Sequence, residues 1–162
     1  MDYGNACIKK FDDPSQASID NRESRCSTHD VVVARLGEAY LIAAEAFIKM
    51  NQPDNAAKMI NDLRKRPGTI KAGYTAAMTV ETSEMDIDFL LDERAREMAG
   101  EYVRWTDLKR THKLVEYATT YNEDGIKEAN MKGTDGKYKT LRPIPQAAID
   151  LNQAKVVQNP GY

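Results

Sequence analysis

DERAREMAGEYVRWTDLKR, residues 92–110, is the segment around which the rest of the chain is built. More than half of its residues are charged, yet it carries the single tryptophan of the 162-residue chain, Trp105. On helical spacing Arg94, Glu97, Glu101, Arg104 and Leu108 share one stripe, because steps of three and four return to the same face. Leu91, Ala95, Met98, Tyr102 and Trp105 form an apolar stripe beside it. Charges that border an apolar stripe are costly to desolvate singly and persist when paired and hydrogen-bonded. The alternating signs permit such pairing within the helix or against a neighbour. A solvated helix face is the plainer reading of the same pattern.

Upstream, the spacing predicts a helix over 35–50. Leu36, Ala39, Tyr40, Ala43 and Phe47 make one apolar face, and Leu41, Ala44 and Ile48 a second. So wide an apolar surface implies a helix held between neighbours, and its many small residues allow close approach. Arg35, Glu38, Glu45 and Lys49 lie three or four residues apart, as weak ion pairs require. Asn51-Gln52-Pro53-Asp54 reads as a turn with Asp54 as N-cap. A second helix over 55–65, with Ala56, Met59, Ile60 and Leu63 inward, stops at Pro67-Gly68. The two form a hairpin of tetratricopeptide type, although no second copy recurs at a fixed period.

Residues 69–83 read as a loop. Ser83 followed by Asp86 is an acidic variant of the capping box and opens a helix from about Glu84 to Gly100. Gly100 ends or bends it, and Tyr102–Tyr117 is periodic again, which predicts a last long helix over 102–118. Thr134-Asp135-Gly136-Lys137 signals a hairpin with arms at 131–133 and 137–141. Arg142-Pro143-Ile144-Pro145 must be extended, because each proline restricts its predecessor. Gln146–Leu151 is a short helix and Asn159-Pro160-Gly161 a final turn. The expected class is all-α: tetratricopeptide-like helical hairpins, a minor β-hairpin near 131–141 and an irregular C-terminal segment. Residues 1–33 form an irregular lead-in, with a turn at Asp12–Gln16, and 34–162 one helical domain.

The chain is 41% hydrophobic and 30% charged, with a net charge of −2. That balance gives no reason to expect nucleic acid as a partner, and no apolar run approaches the roughly 20 residues that cross a bilayer. Cys7 and Cys26 make no CxxC or His/Cys cluster, so no metal and no cofactor is expected. Asn122-Glu123-Asp124-Gly125 lacks the alternating ligands of a calcium loop. His29 and His112 are isolated, and no nucleophile elbow, zinc-protease motif, P-loop or dinucleotide fingerprint occurs. Glu93 and Glu97 stand one turn apart as acid–base chemistry would need, but nothing reactive converges on them. No catalytic residue is assigned, and the chain is not expected to be an enzyme. For sugars, which stack on exposed aromatic faces, the loop tyrosines Tyr74, Tyr121 and Tyr138 are the candidates, and Trp105 reads as core.

ERAREMAGEYVRWTDLKR closely resembles the signature near the C-terminus of the RagB/SusD family. RLGEAYLIAAEAF at 35–47, NAAKMINDLRKRPG at 55–68 and LRPIPQAAIDLNQAKVVQNPGY at 141–162 agree with that family in order. The resemblance implies an outer-membrane, cell-surface lipoprotein of Bacteroidetes. Such a protein binds glycans or other nutrients and works with a SusC-like TonB-dependent transporter. It also implies a helical scaffold and a structural charge network of Arg94, Glu97, Glu101, Arg104 and Asp107. No ligand-binding residue of the family transfers to these positions. The polar opening, MDYGNACIKKFDDPSQ, lacks a signal-peptide pattern, so Cys7 is not expected to be a lipidated cysteine. The expectation is that this sequence is the C-terminal part of a longer protein whose preceding part makes most glycan contacts. The other functional class is a free-standing tetratricopeptide-like adaptor that grips a peptide, which would have no use for RPIPQ and QNPGY.

Overall fold

A computed structural model describes Lys10, Asp30 and residues 32–162. Cys7, Cys26, His29, the turn at Asp12–Gln16 and most of the lead-in lie outside the described residues. The chain divides after Gly100 into two compact units. Among the described residues the structure is helical, with no β-strand.

The first unit contains α1 (Leu36–Lys49), α2 (Pro53–Arg64), the single turn α3 (Pro67–Lys71) and α4 (Ile87–Glu97). Helix α1 packs against both α2 and α4. Leu41, Ala44, Ala56, Ile60, Leu90 and Leu91 are completely buried there. The first of the two predicted faces of α1 is less covered than expected, since Leu36 is 72% exposed. Asn51, at φ 56, closes the helix. Its N–H reaches Ile48 O and the N–H of Gln52 reaches Phe47 O, the paired bonds of a Schellman motif.

Two helix starts differ from expectation. Pro53 is the first helical residue of α2, where its missing N–H costs nothing, so Gln52 and not Asp54 stands at the N-cap. Helix α4 starts at Ile87, capped by Asp86, whose carboxylate accepts from Phe89 N–H at 2.7 Å. Ser83 lies instead within a 3-10 turn, Thr82–Glu84. Residues 69–83 are also more ordered than a loop. Asn61 exchanges two hydrogen bonds with the backbone of Val80, at 2.9 and 3.0 Å, and ties this connection to α2.

Gly100, at φ 78, lies just beyond the end of α4, and the apolar stripe predicted across 91–105 is interrupted there. Leu91 and Met98 are buried, whereas Tyr102, itself at φ 60, is 98% exposed and Trp105 is 37% exposed. Residues 101–103 are not helical, so the helical spacing that predicted the stripe does not continue through them.

The second unit, Glu101–Tyr162, holds α5 (Arg104–Arg110), α6 (Leu114–Tyr121), a 3-10 turn at Glu128–Met131 and α7 (Gln146–Asp150). The single helix predicted over 102–118 is thus two helices. His112 adopts φ 61, its N–H bonds Lys109 O and the N–H of Lys113 bonds Leu108 O, a second Schellman motif. Histidine is several-fold enriched among non-glycine residues that accept this conformation. The predicted β-hairpin reduces to one isolated antiparallel bridge, Lys132 to Tyr138.

The extended proline run is fixed by the C-terminus. Gln158 accepts from Ile144 N–H at 2.7 Å and donates to Ile144 O at 2.8 Å, and Asn159 donates to Arg142 O at 2.7 Å. Ile144 lies between two prolines, so its N–H is the one backbone donor within Pro143–Pro145. Gly161 bonds Asp135 at 3.1 Å, and its backbone lies where a Cβ on Gly133 would be. Gln158→Ala is therefore expected to lower stability by about 1–3 kcal/mol, the cost of leaving a part-buried donor unsatisfied. Urea unfolding of the variant measures this, and a midpoint equal to the parent's would refute it.

Candidate functional site

The charged signature is turned onto the chain's own helices. Glu93, with a side chain only 7% exposed, receives Arg64 of α2 in a two-pronged pair at 2.6 and 2.7 Å. Arg96, one turn on, donates to the same carboxylate at 2.7 and 3.0 Å. Glu97 receives Arg35 at 2.6 Å and Arg66 at 2.5 Å. Arg35 also donates to Glu97 O at 2.7 Å, satisfying a carbonyl in the last turn of α4. Gly37 makes this geometry possible: a Cβ there would meet both the Arg35 guanidinium and the Glu97 carboxylate. Arg94 is buried, with its guanidinium 3.9 Å from Glu38. These contacts link α1, α2 and α4.

Of the five residues expected to form one charge network, Arg94 and Glu97 belong to the first unit and Glu101, Arg104 and Asp107 to the second. Asp107 is buried and accepts from Arg110 at 3.0 Å, while the Arg104 guanidinium sits 5.0 Å from the centre of the Tyr117 ring. Glu101 is half-buried. Arg35, Arg64 and Arg66, the upstream partners of Glu93 and Glu97, lie some thirty to sixty residues before the signature. Helical spacing within it could not reveal them.

Burial raises the affinity of Glu93 and Glu97 for protons, but the arginines outweigh it. Hydrogen bonds and charge from Arg64 and Arg96 hold Glu93 below the usual carboxylate range. Arg66 and Arg35 do the same for Glu97. Both folded-state values are depressed, so the stabilisation is complete above about pH 4.5, the ordinary glutamate value, and is lost as pH falls through the lower folded values. Acid titration of stability is expected to show this loss, and the Glu93→Gln, Glu97→Gln double variant to show a shallower one. An unchanged slope in the double variant would count against the assignment.

The three candidate tyrosines differ in what surrounds them. Tyr74 is half-buried and its hydroxyl pairs with Thr79 at 2.8 Å. Tyr138 pairs its hydroxyl with Glu128 and has the Lys132 ammonium 4.8 Å from its ring centre. Tyr121, 69% exposed, lines a cavity of about 400 Å³ in the second unit together with Trp105, Tyr117, Asn122 and Met131. The Tyr117 and Tyr121 rings are 5.0 Å apart and tilted by 52°. Trp105 on this wall is the residue that sequence reasoning placed in the core. Its 37% exposure and the Arg142 guanidinium 5.8 Å from its ring mark it as part of a surface feature.

The arrangement is a helical fold with an internal set of arginine–glutamate clamps. Comparison with known proteins identifies its kind. The sequence model of the SusD family matches residues 2–162. The chain is 34% identical over 134 residues to the starch-binding protein SusD of Bacteroides thetaiotaomicron, covering 82% of this chain and 22% of that one. It is 33% identical over 90 residues to SusD-like protein P38 of Formosa agariphila, covering 54% and 18%. With SusD-like protein P2 of the same organism it shares 25% identity over 150 residues, covering 90% and 28%. No solved structure matches. The chain belongs to the SusD family. It spans between 18% and 28% of the length of these relatives.

Proposed function

We propose that this chain is the C-terminal scaffold of a SusD-like protein that binds glycans or other nutrients at the outer membrane and works with a SusC-like TonB-dependent transporter. The observation that carries the reading is the family match over residues 2–162. The clamps support it, because the carboxylates of Glu93 and Glu97 engage the chain's own arginines, Arg35, Arg64 and Arg66. In this reading Arg94, Glu97, Glu101, Arg104 and Asp107 are structural and the protein is not an enzyme. The glycan is met mainly by sequence preceding these residues. Residues 1–33 lead into a helical domain over 34–162. Among the described residues no helix is long and apolar enough to cross a membrane, and attachment at the surface would come through a lipid.

An antibody raised against this chain tests the proposal in the native bacterium. The expected result is a band several times longer than 162 residues, in the outer-membrane fraction, that co-purifies with a TonB-dependent transporter. A band of 162 residues in the soluble fraction, bound to a different partner, would overturn it in favour of a free-standing adaptor.

A further inference from the structure

Three of the ten residues that line the second unit's cavity are aromatic (Trp105, Tyr117 and Tyr121), against 7% aromatic residues in the chain as a whole. Met131 adds a thioether, which makes favourable contacts with ring edges. Two guanidinium groups border these rings, Arg104 at 5.0 Å from Tyr117 and Arg142 at 5.8 Å from Trp105. Among the described residues the lining holds no carboxylate. Beside the tyrosine hydroxyls, the polar side-chain groups of this lining are few: the Trp105 indole N–H, Arg104 and Asn122. An aromatic ring needs none, and it packs offset or edge-on against rings such as these. The cations add attraction for an electron-rich ring and for negative charge beside it. We propose that this cavity is a docking site for an aromatic side chain presented by an acidic segment of a partner polypeptide.

Trp105 is the chain's single tryptophan, so intrinsic fluorescence reports on this cavity alone. The full chain is titrated with acetyl-Glu-Tyr-Glu-amide, acetyl-Glu-Ala-Glu-amide, acetyl-Lys-Tyr-Lys-amide, free N-acetyltyrosinamide and maltoheptaose, with excitation beyond the tyrosine band. A saturable change with the first peptide is expected, at least about tenfold weaker with each of the others. Ala118→Phe, which fills the cavity, is expected to abolish the response. Should that variant fold poorly, Tyr121→Ala at the exposed rim is expected to weaken binding about tenfold while the circular dichroism stays unchanged. Equal responses to the tyrosine and alanine peptides, or none to either, would overturn the proposal. A free-tyrosinamide response equal to the peptide's would make this a small-molecule pocket, and a maltoheptaose response alone a sugar site; either contradicts docking.

Discussion

Glu93→Ala is expected to lower folding stability by about 3–5 kcal/mol, the cost of breaking a buried ion pair by removing one partner. The Glu93 carboxylate is buried, and Arg64 and Arg96 converge on it with four hydrogen bonds. Removing it leaves two guanidinium groups without their shared counter-charge, both within about 6 Å of the Phe89 ring centre. Part of the loss is relieved because Arg96 is more than half exposed and can swing into water. Arg64 is held more firmly, since it also donates to Met78 O at 2.7 Å. Urea denaturation gives the number directly. A loss within about 0.5 kcal/mol, the range of ordinary surface substitutions, would mean that the pair is solvated. Glu93→Gln keeps the volume and some hydrogen bonds, so it is expected to fall between the alanine variant and the parent.

Glu97→Ala is expected to cost about 3 kcal/mol, the lower end of the same range. Its carboxylate is slightly more exposed and its partner Arg66 about half exposed, so water takes over part of the lost contact. Arg35 retains its bond to Glu97 O, which the substitution does not remove. The diagnostic comparison is a double-mutant cycle: Arg35→Ala and Glu97→Ala should be coupled by more than about 0.5 kcal/mol, the usual limit of additivity for independent sites. Additive losses would mean that Arg35 and Glu97 contribute separately and that α1 is not clamped to the end of α4.

The helical class, the α1–α2 hairpin and the inward residues Ile60, Leu63 and Leu91 were legible from apolar periodicity alone. What periodicity could not show is where a helix stops without glycine or proline. His112 ends α5 inside a run that keeps helical spacing, because a Schellman motif needs one residue in the left-handed region and histidine is no obvious marker of it. Gly100 was visible as a possible break. Its consequence, that helical spacing does not carry on from Met98 to Tyr102 and Trp105, depends on the backbone of residues 101–103. The hairpin signal at Thr134–Lys137 produced a turn and one bridge. Gly133 and Asp135 engage Gly161 there instead of a longer ladder.

The candidate site was less legible for a related reason. The signature displays its charges in sequence, but their partners Arg35, Arg64 and Arg66 come from outside it, and only packing brings them within 3 Å. The family resemblance supplied the expectation of a charge network where spacing favoured a solvated face. For Glu93 the alternation of sign was informative after all, since Arg96 three residues on shares its carboxylate. The aromatic cavity had no sequence signal beyond Tyr121, because Trp105, Tyr117 and Met131 meet through the turn at His112 and the 3-10 turn at Glu128–Met131.

If these residues form a scaffold, sugar recognition lies in the sequence before them, and the two can be separated by calorimetry. The decisive trial is isothermal titration of the 162-residue chain, and of the longer protein in which it is proposed to lie, against one panel of oligosaccharides, maltoheptaose included. Saturable heat is expected for the longer protein with at least one sugar. For the chain alone none is expected, or binding at least about a hundredfold weaker, a gap of about 2.7 kcal/mol. Equal affinity in the two proteins would place the site within residues 1–162, with Tyr74, Tyr121 and Tyr138 as the first positions to replace, and would contradict the scaffold role.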